Sequence, residues 1–191
     1  MNTADDFFDN IDVDLNHFNE LYPSLQSSRE NQYFDSDKFN SVFCSGGGRD
    51  FSIIHLNIRS IRANGDAFIL YLSLLKRKFD VICLTETWVR EPDLMDDIFS
   101  DYHSFHSFRQ NRVGGGVAIY ISKQFTCNIL PIQPVNEEFI ESVFVKVFHF
   151  GKSVIIGSCY RPPNFNYDLF HTFIENKTSS ISSVSVNVWR F

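Results

Sequence analysis

Two short apolar runs, FSIIHLNIRS at residues 51–60 and DVICLTETW at residues 80–88, constrain this chain more than any other feature. Both are rich in β-branched and aliphatic residues and too short for a buried helix, so both read as strands. Each delivers a polar residue at its end, Asn57 in the first and Glu86 in the second. Between them RANGD reads as a turn. AFILYLSLLKRKF then sets Phe68, Leu72, Leu75 and Phe79 on one helical face, with Lys76, Arg77 and Lys78 at the end where the helix dipole favours cations. Strand, helix and strand in this order make a βαβ unit with parallel strands, so Asn57 and Glu86 should leave the sheet at the same carboxyl edge. An amide and a carboxylate presented together in that way can hold a hard cation.

Downstream the pattern is that of short strands. Residues 102–108 alternate aromatic and polar side chains, VGGGVAIYIS is a glycine turn feeding a strand, and residues 125–130, 141–150 and 153–160 follow as strands. HFGKS between the last two is a hairpin signal built on Gly151, YRPPN is a rigid turn, and residues 167–175 start a second helix. The serine-rich end, KTSSISSVSVNVWRF, alternates at Val184, Val186 and Val188 and predicts one more strand.

Charge separates the leader from the body. Of 23 acidic and 17 basic residues, the first 50 hold ten acids and three bases, leaving the remainder near neutral. Residues 1–50 are rich in Asn, Asp and Ser and end on SGGGRD, so a disordered acidic leader is expected there. Its scattered aromatics suit a flexible linker better than a partner-binding segment. A basic leader would have pointed to nucleic acid; this one does not. Cys44, Cys83, Cys127 and Cys159 form no C-x-x-C pair and read as reduced thiols of an intracellular protein. The N-terminus has no signal-peptide pattern, and the longest apolar run is far too short to span a bilayer, so no membrane partner is expected.

On spacing alone Glu86 could equally be a capping or surface acid and Asn57 a turn residue. Gly114–Gly116 lacks the Lys-Ser/Thr of a phosphate-cradling P-loop and precedes a strand, so it reads as a tight turn with close backbone approach. His103 and His106 lie on a strand-like segment, where their spacing turns the rings to opposite faces and disfavours joint metal ligation.

HLNIRSI, DVICLTETW, RVGGGVAIYI and SCYRPPN, in this order and at these separations, closely resemble the endonuclease/exonuclease/phosphatase superfamily, in particular the N-terminal endonuclease domain of LINE-type non-LTR retrotransposon polyproteins. The resemblance implies a four-layer α/β sandwich over residues 51–176 and Mg²⁺-dependent (or Mn²⁺-dependent) nicking of DNA. It implies catalytic roles for Asn57, Glu86, Tyr160 and Asn164, with Glu86 and Asn57 at the metal and Tyr160 at the reacting phosphate. Arg59, Arg112 and Arg161 become candidates for DNA-phosphate contacts, although a solvated surface charge explains each of them as well. DNA is the implied partner, no small-molecule cofactor is, and nuclear access is expected although no basic import run is visible.

The family pattern continues with Gly-Asp-x-Asn and Ser-Asp-His motifs, and this chain contains neither. The expectation is therefore a truncated copy holding about the first half of the domain, with residues 177–191 as a divergent tail. Alone it should be hydrolytically inactive, and its first sheet should lack a partner sheet for its inner face. Two other readings stay open: a phosphatase-type member of the same superfamily, and a non-catalytic nucleic-acid- or protein-binding remnant.

Overall fold

The computed structural model describes residues 34–44, 51–90, 98–108, 114–131, 140–149, 151–162, 165–179 and 186–189, the last four and residues 178–179 by backbone alone. Of the expected site residues, Arg112 and Asn164 lie outside this set, as does most of the leader. The described residues divide into two compact units, the first within residues 51–66 and 79–189, the second within residues 34–44 and 67–78.

In the second of these units the leader departs from expectation, because Ser36–Phe43 is a helix, α1. Asp35 caps it, its side chain accepting the Lys38 N–H at 2.7 Å. The Asn40 carboxamide anchors it to the end of the next helix, donating to the Leu74 carbonyl at 2.9 Å and accepting the Lys76 N–H at 2.7 Å. Those contacts satisfy helix-end groups that would otherwise need water.

That next helix, α2, spans Ile61–Leu74 and so begins where RANGD reads as a turn. Ser60 starts it, its carbonyl accepting from the Ala63 and Asn64 N–H groups at 3.2 and 3.0 Å. Asn64 donates from its side chain to the Ile58 and Arg59 carbonyls at 2.9 and 3.0 Å. Asn and Gly signal turns only when nothing else claims them; here the Asn64 amide is occupied by the incoming chain, and the helix forms through it.

The first unit holds two four-stranded sheets. Sheet A contains β1 (Ile53–Asn57), β2 (Val81–Thr85), β3 (Tyr102–Ser107) and β4 (Val117–Ser122) in the order β1-β2-β4-β3, with β1 and β2 parallel. Sheet B contains β5 (Thr126–Ile129), β6 (Glu141–His149), β7 (Lys152–Tyr160) and β8 (Val186–Trp189) in chain order. Helix α3, Tyr167–Ser179, connects β7 to β8, which pairs parallel to β7. The strand expected in the tail is thus present.

The two sheets face each other, contrary to the expectation of an uncovered inner face. Val81, Cys83, Val117, Ile119 and Ile121 of sheet A form one core with Val143, Val145, Val147, Ile156 and Tyr160 of sheet B. Apolar residues at every second position put these side chains on one face of each sheet. Strands β6 and β7, with Cys127 of β5, supply the side chains that cover sheet A. On the far side of sheet B, Ile140, Phe144, Ile155 and Cys159 pack with Phe170 and Phe173 of α3. Gly157 is required there, since a Cβ would come within 2.6 Å of the Phe144 ring. The chain is therefore an α/β protein of the layered-sandwich type.

An aromatic cluster sets the relative direction of the sheets. Phe51, just before β1, meets Phe125 and His149 at ring separations of 5.5 and 5.3 Å. His149 ends β6 at the hairpin that opens β7, so β1, β2 and β7 start at the same end and run the same way. Their carboxyl ends, and the beginning of β6, gather at the opposite edge.

Candidate active site at the carboxyl edge

Asn57 closes β1 opposite Thr85, and Glu86 is the next residue after β2. Both leave the sheet at one edge, as the βαβ reading requires. Beyond the regular strands the backbone keeps pairing: Ile58, Ser60 and Ile61 N–H donate to the Thr85, Glu86 and Thr87 carbonyls at 3.0, 2.8 and 3.0 Å. On the other side, Thr87 and Trp88 N–H donate to Gly116 and Gly115 at 3.2 and 3.0 Å.

This pairing holds an unusual backbone. Arg59, Ser60, Glu86 and Trp88 have φ of 43°, 86°, 55° and 56°, and they are the non-glycine residues with positive φ among those described. Each such residue costs about 1–3 kcal/mol and persists only where its surroundings over-determine it. All four fall on this one rim.

The glycine triplet explains how Glu86 is aimed. Gly115 N–H donates to Glu86 Oε2 at 3.0 Å, and the Trp88 indole N–H donates to the same oxygen. Gly114, Gly115 and Gly116 have φ of 88°, 74° and 87°, which side-chain-bearing residues avoid. A Cβ on Gly116 would lie 2.5 Å from Thr87 Oγ1. The close backbone approach expected of the triplet is thus an approach to the segment that carries Glu86.

Between the sheets the core turns polar at this edge. Alternation from Ile53 and Cys83 puts His55, Asn57 and Thr85 on the inner face of sheet A, and alternation from Val143 and Ile156 puts Glu141, Ser158 and Tyr160 on that of sheet B. Asn57 Oδ1, Thr87 Oγ1 and Ser158 Oγ are buried with no hydrogen-bond partner. Such atoms are uncommon and call for an explanation. His55 lies 3.5 Å from Thr85 Oγ1, and burial pushes its pKa down to about 4, so the ring is neutral at pH 7.

The other expected residues are dispersed around this centre. Tyr160 is buried and its ring belongs to the core between the sheets. Arg59 is exposed on the strained rim itself. Arg161 binds its own turn, with Nη1 donating to the Pro162 and Phe165 carbonyls at 3.4 and 3.0 Å. His103 and His106 lie on β3 as expected, His103 exposed and His106 against Phe108 at 4.4 Å. Sequence reading missed Trp88, Thr87, Glu141 and Ser158. Only Trp88 carried a signal, as a large aromatic directly after the candidate ligand.

These residues suit a hard divalent cation. Glu86 binds its two donors through Oε2, and among the described residues Oε1 accepts no hydrogen bond. Asn57 offers an unengaged amide oxygen. One carboxylate plus neutral oxygens is a donor set that Mg²⁺ accepts, with water and substrate phosphate completing its octahedron. Among the described residues no group of three or more His, Cys, Asp or Glu side chains is placed to hold a metal, so this is a sparse site.

The profile of the endonuclease/exonuclease/phosphatase family matches residues 54–176. The chain belongs to that family. Its fold is shared by the endonuclease domain of TRAS1, a telomere-specific non-LTR retrotransposon, at 13% identity and a TM-score of 0.55, over 74% of this chain and 58% of that one. The human Nocturnin catalytic domain matches at 11% identity and 0.52, over 73% and 62%. TDP2 of D. rerio, solved with a single-strand DNA product, matches at 14% and 0.50, over 73% and 59%. The chain therefore spans about three-fifths of the length of these three solved structures. No curated protein sequence matches it.

Proposed function

We propose that the chain carries the opening part of a divalent-cation-dependent DNA endonuclease of the LINE-type retrotransposon kind, with residues 51–176 as the nuclease portion, residues 1–50 as a leader and residues 177–191 as a tail. The observation that carries this reading is the strained carboxyl rim, where the ends of paired parallel strands carry a held Glu86 carboxylate and the unsatisfied Asn57 oxygen. Mg²⁺ or Mn²⁺ bound there would polarise a phosphate oxygen of the substrate. Asn57 and Glu86 would hold the cation, Tyr160 and Asn164, the latter outside the described residues, are the candidates for the reacting phosphate, and Arg59, exposed on the rim, would give the DNA backbone a positive contact. Arg112 stays a candidate for the same task. Arg161, committed to its turn carbonyls, serves first to shape the loop after Tyr160. Action on chromosomal DNA places the working enzyme in the nucleus.

The 191-residue polypeptide assayed alone is expected to be silent. Among the described residues the histidine of the polar layer is His55, partly buried and neutral, and the Gly-Asp-x-Asn and Ser-Asp-His motifs are absent from the sequence. Positioned acid–base groups contribute about 10²- to 10⁴-fold to such reactions. A supercoiled-plasmid assay with Mg²⁺ should give no more nicked circles than Glu86→Ala does. Reading the coding sequence past the codon for Phe191 should reveal the two missing motifs, and joining that segment to the chain should produce Mg²⁺-dependent nicking that Glu86→Ala abolishes. A joined protein that nicks equally well with Glu86→Ala would overturn the assignment.

A further inference from the structure

We infer that Trp88 is a positioning residue for Glu86, one that makes the carboxylate a single-oxygen cation ligand; this deepens the proposed function and rests on its cation site. The geometry is a closed ring of hydrogen bonds. Gly115 donates its N–H to Glu86 Oε2 at 3.0 Å and accepts the Trp88 backbone N–H at 3.0 Å, while the Trp88 indole N–H returns to the same Oε2. Two donors on one oxygen fix the carboxylate plane and leave Oε1 for the ion, so chelation of the ion by both oxygens is disfavoured.

A packing role does not account for this tryptophan. Its side chain is 41% exposed, yet its backbone is held at a positive φ that a bulky residue avoids. In this conformation the indole N–H reaches the carboxylate of the residue two positions earlier in the chain. Gly114 leaves the approach open, since even a Cβ there would stand 3.6 Å from both Glu86 Oε2 and Trp88 Nε1. The strained segment, the glycine turn and the indole thus act on one atom.

The test uses the full chain labelled with ¹⁵N-tryptophan. Only two indole N–H signals exist, because the chain has two tryptophans, and Trp88→Phe assigns them. The Trp88 signal should lie downfield, move upfield in Glu86→Gln, and shift on Mg²⁺ addition with the dissociation constant that calorimetry gives. Trp88→Phe keeps a ring but lacks the donor, and should weaken Mg²⁺ binding roughly tenfold with circular dichroism unchanged. Trp88→His, which can return a ring N–H, should recover part of that loss. If Mg²⁺ binds and is lost in Glu86→Gln, yet Trp88→Phe binds as tightly as the unmodified chain or the indole signal ignores both changes, the positioning role is overturned while the cation site stands. If Mg²⁺ neither binds nor shifts the signal, the cation site itself falls, and the inference with it.

Discussion

At the amino end of β2, Asp80 accepts hydrogen bonds from the Ser52 N–H and hydroxyl at 2.8 and 2.9 Å and from the Gln124 side chain at 2.8 Å. At the carboxyl end of the same sheet, Asn57 Oδ1 and Thr87 Oγ1 are buried without a partner, and four non-glycine residues hold positive φ. Nearby at the amino end, the Tyr102 hydroxyl donates to the Phe79 carbonyl at 2.6 Å, and Ser122 N–H donates to the Asp80 carbonyl at 2.9 Å. At one edge these polar groups are paired; at the other, among the described residues, Asn57 Oδ1 and Thr87 Oγ1 are not. Satisfied buried polar groups hold a fold together, whereas orphaned ones beside a strained backbone mark where a fold meets a ligand. The sheet is fastened at one end so that the other can be kept in an unfavourable, prepared state.

That contrast predicts opposite responses to substitution. The largest effect on stability belongs to the fastened end: Asp80→Ala removes the acceptor of three donors and should destabilise by about 3 kcal/mol in urea denaturation, while leaving Mg²⁺ affinity unchanged. Lost Mg²⁺ affinity in that variant would mean that the two ends are coupled.

Acidification should give the next largest effect, through the polar layer at the prepared end. The pKa of His55 in the folded chain, pushed down to about 4 by burial, lies below the ordinary histidine value of 6.5. Between those values the unfolded chain binds a proton that the folded chain refuses, so stability falls as the pH drops from about 6.5 towards 4. The contribution is on the order of 2 kcal/mol between pH 7 and pH 5, and His55→Gln should remove it from the difference between urea midpoints at the two values. An unchanged difference would place the ring in water.

The smallest stability effects should come from the rim itself. Asn57→Leu and Glu86→Gln should change unfolding free energy by less than about 1 kcal/mol, and Asn57→Leu should raise it, because it exchanges an unpartnered oxygen for apolar surface. A loss of several kcal/mol on Asn57→Leu would show that the amide is structural.

Much of this layout was legible in the residues. The two apolar runs announced parallel strands, and parallel register alone brought Asn57 and Glu86 to one edge. YRPPN and HFGKS marked their turns because proline and glycine restrict or free the backbone locally. What stayed hidden was tertiary. Nothing local tells Asn64 and Gly65 that the Ile58 and Arg59 carbonyls await the Asn64 amide, so a helix start looked like a turn. The α1 helix was masked by its acidic surroundings, because its own Asn40 is anchored to Leu74 and Lys76, more than thirty positions away. The GGG triplet was readable as a close approach, but its target, Glu86 Oε2, depends on the register of β2 with β4. Arg161 shows the converse: a position beside a motif suggested a DNA contact, and the fold bound the guanidinium to its own turn.

The most direct test of a prepared, cation-seeking rim is the Mg²⁺ dependence of unfolding. A ligand that binds only the folded chain stabilises it by about 1.4 kcal/mol at ten times its dissociation constant. Urea denaturation across a Mg²⁺ series, at constant ionic strength, should show that gain in the unmodified chain and in Asp80→Ala, and none in Glu86→Gln. Equal gains in the unmodified chain and in Glu86→Gln, or no gain in either, would contradict the account.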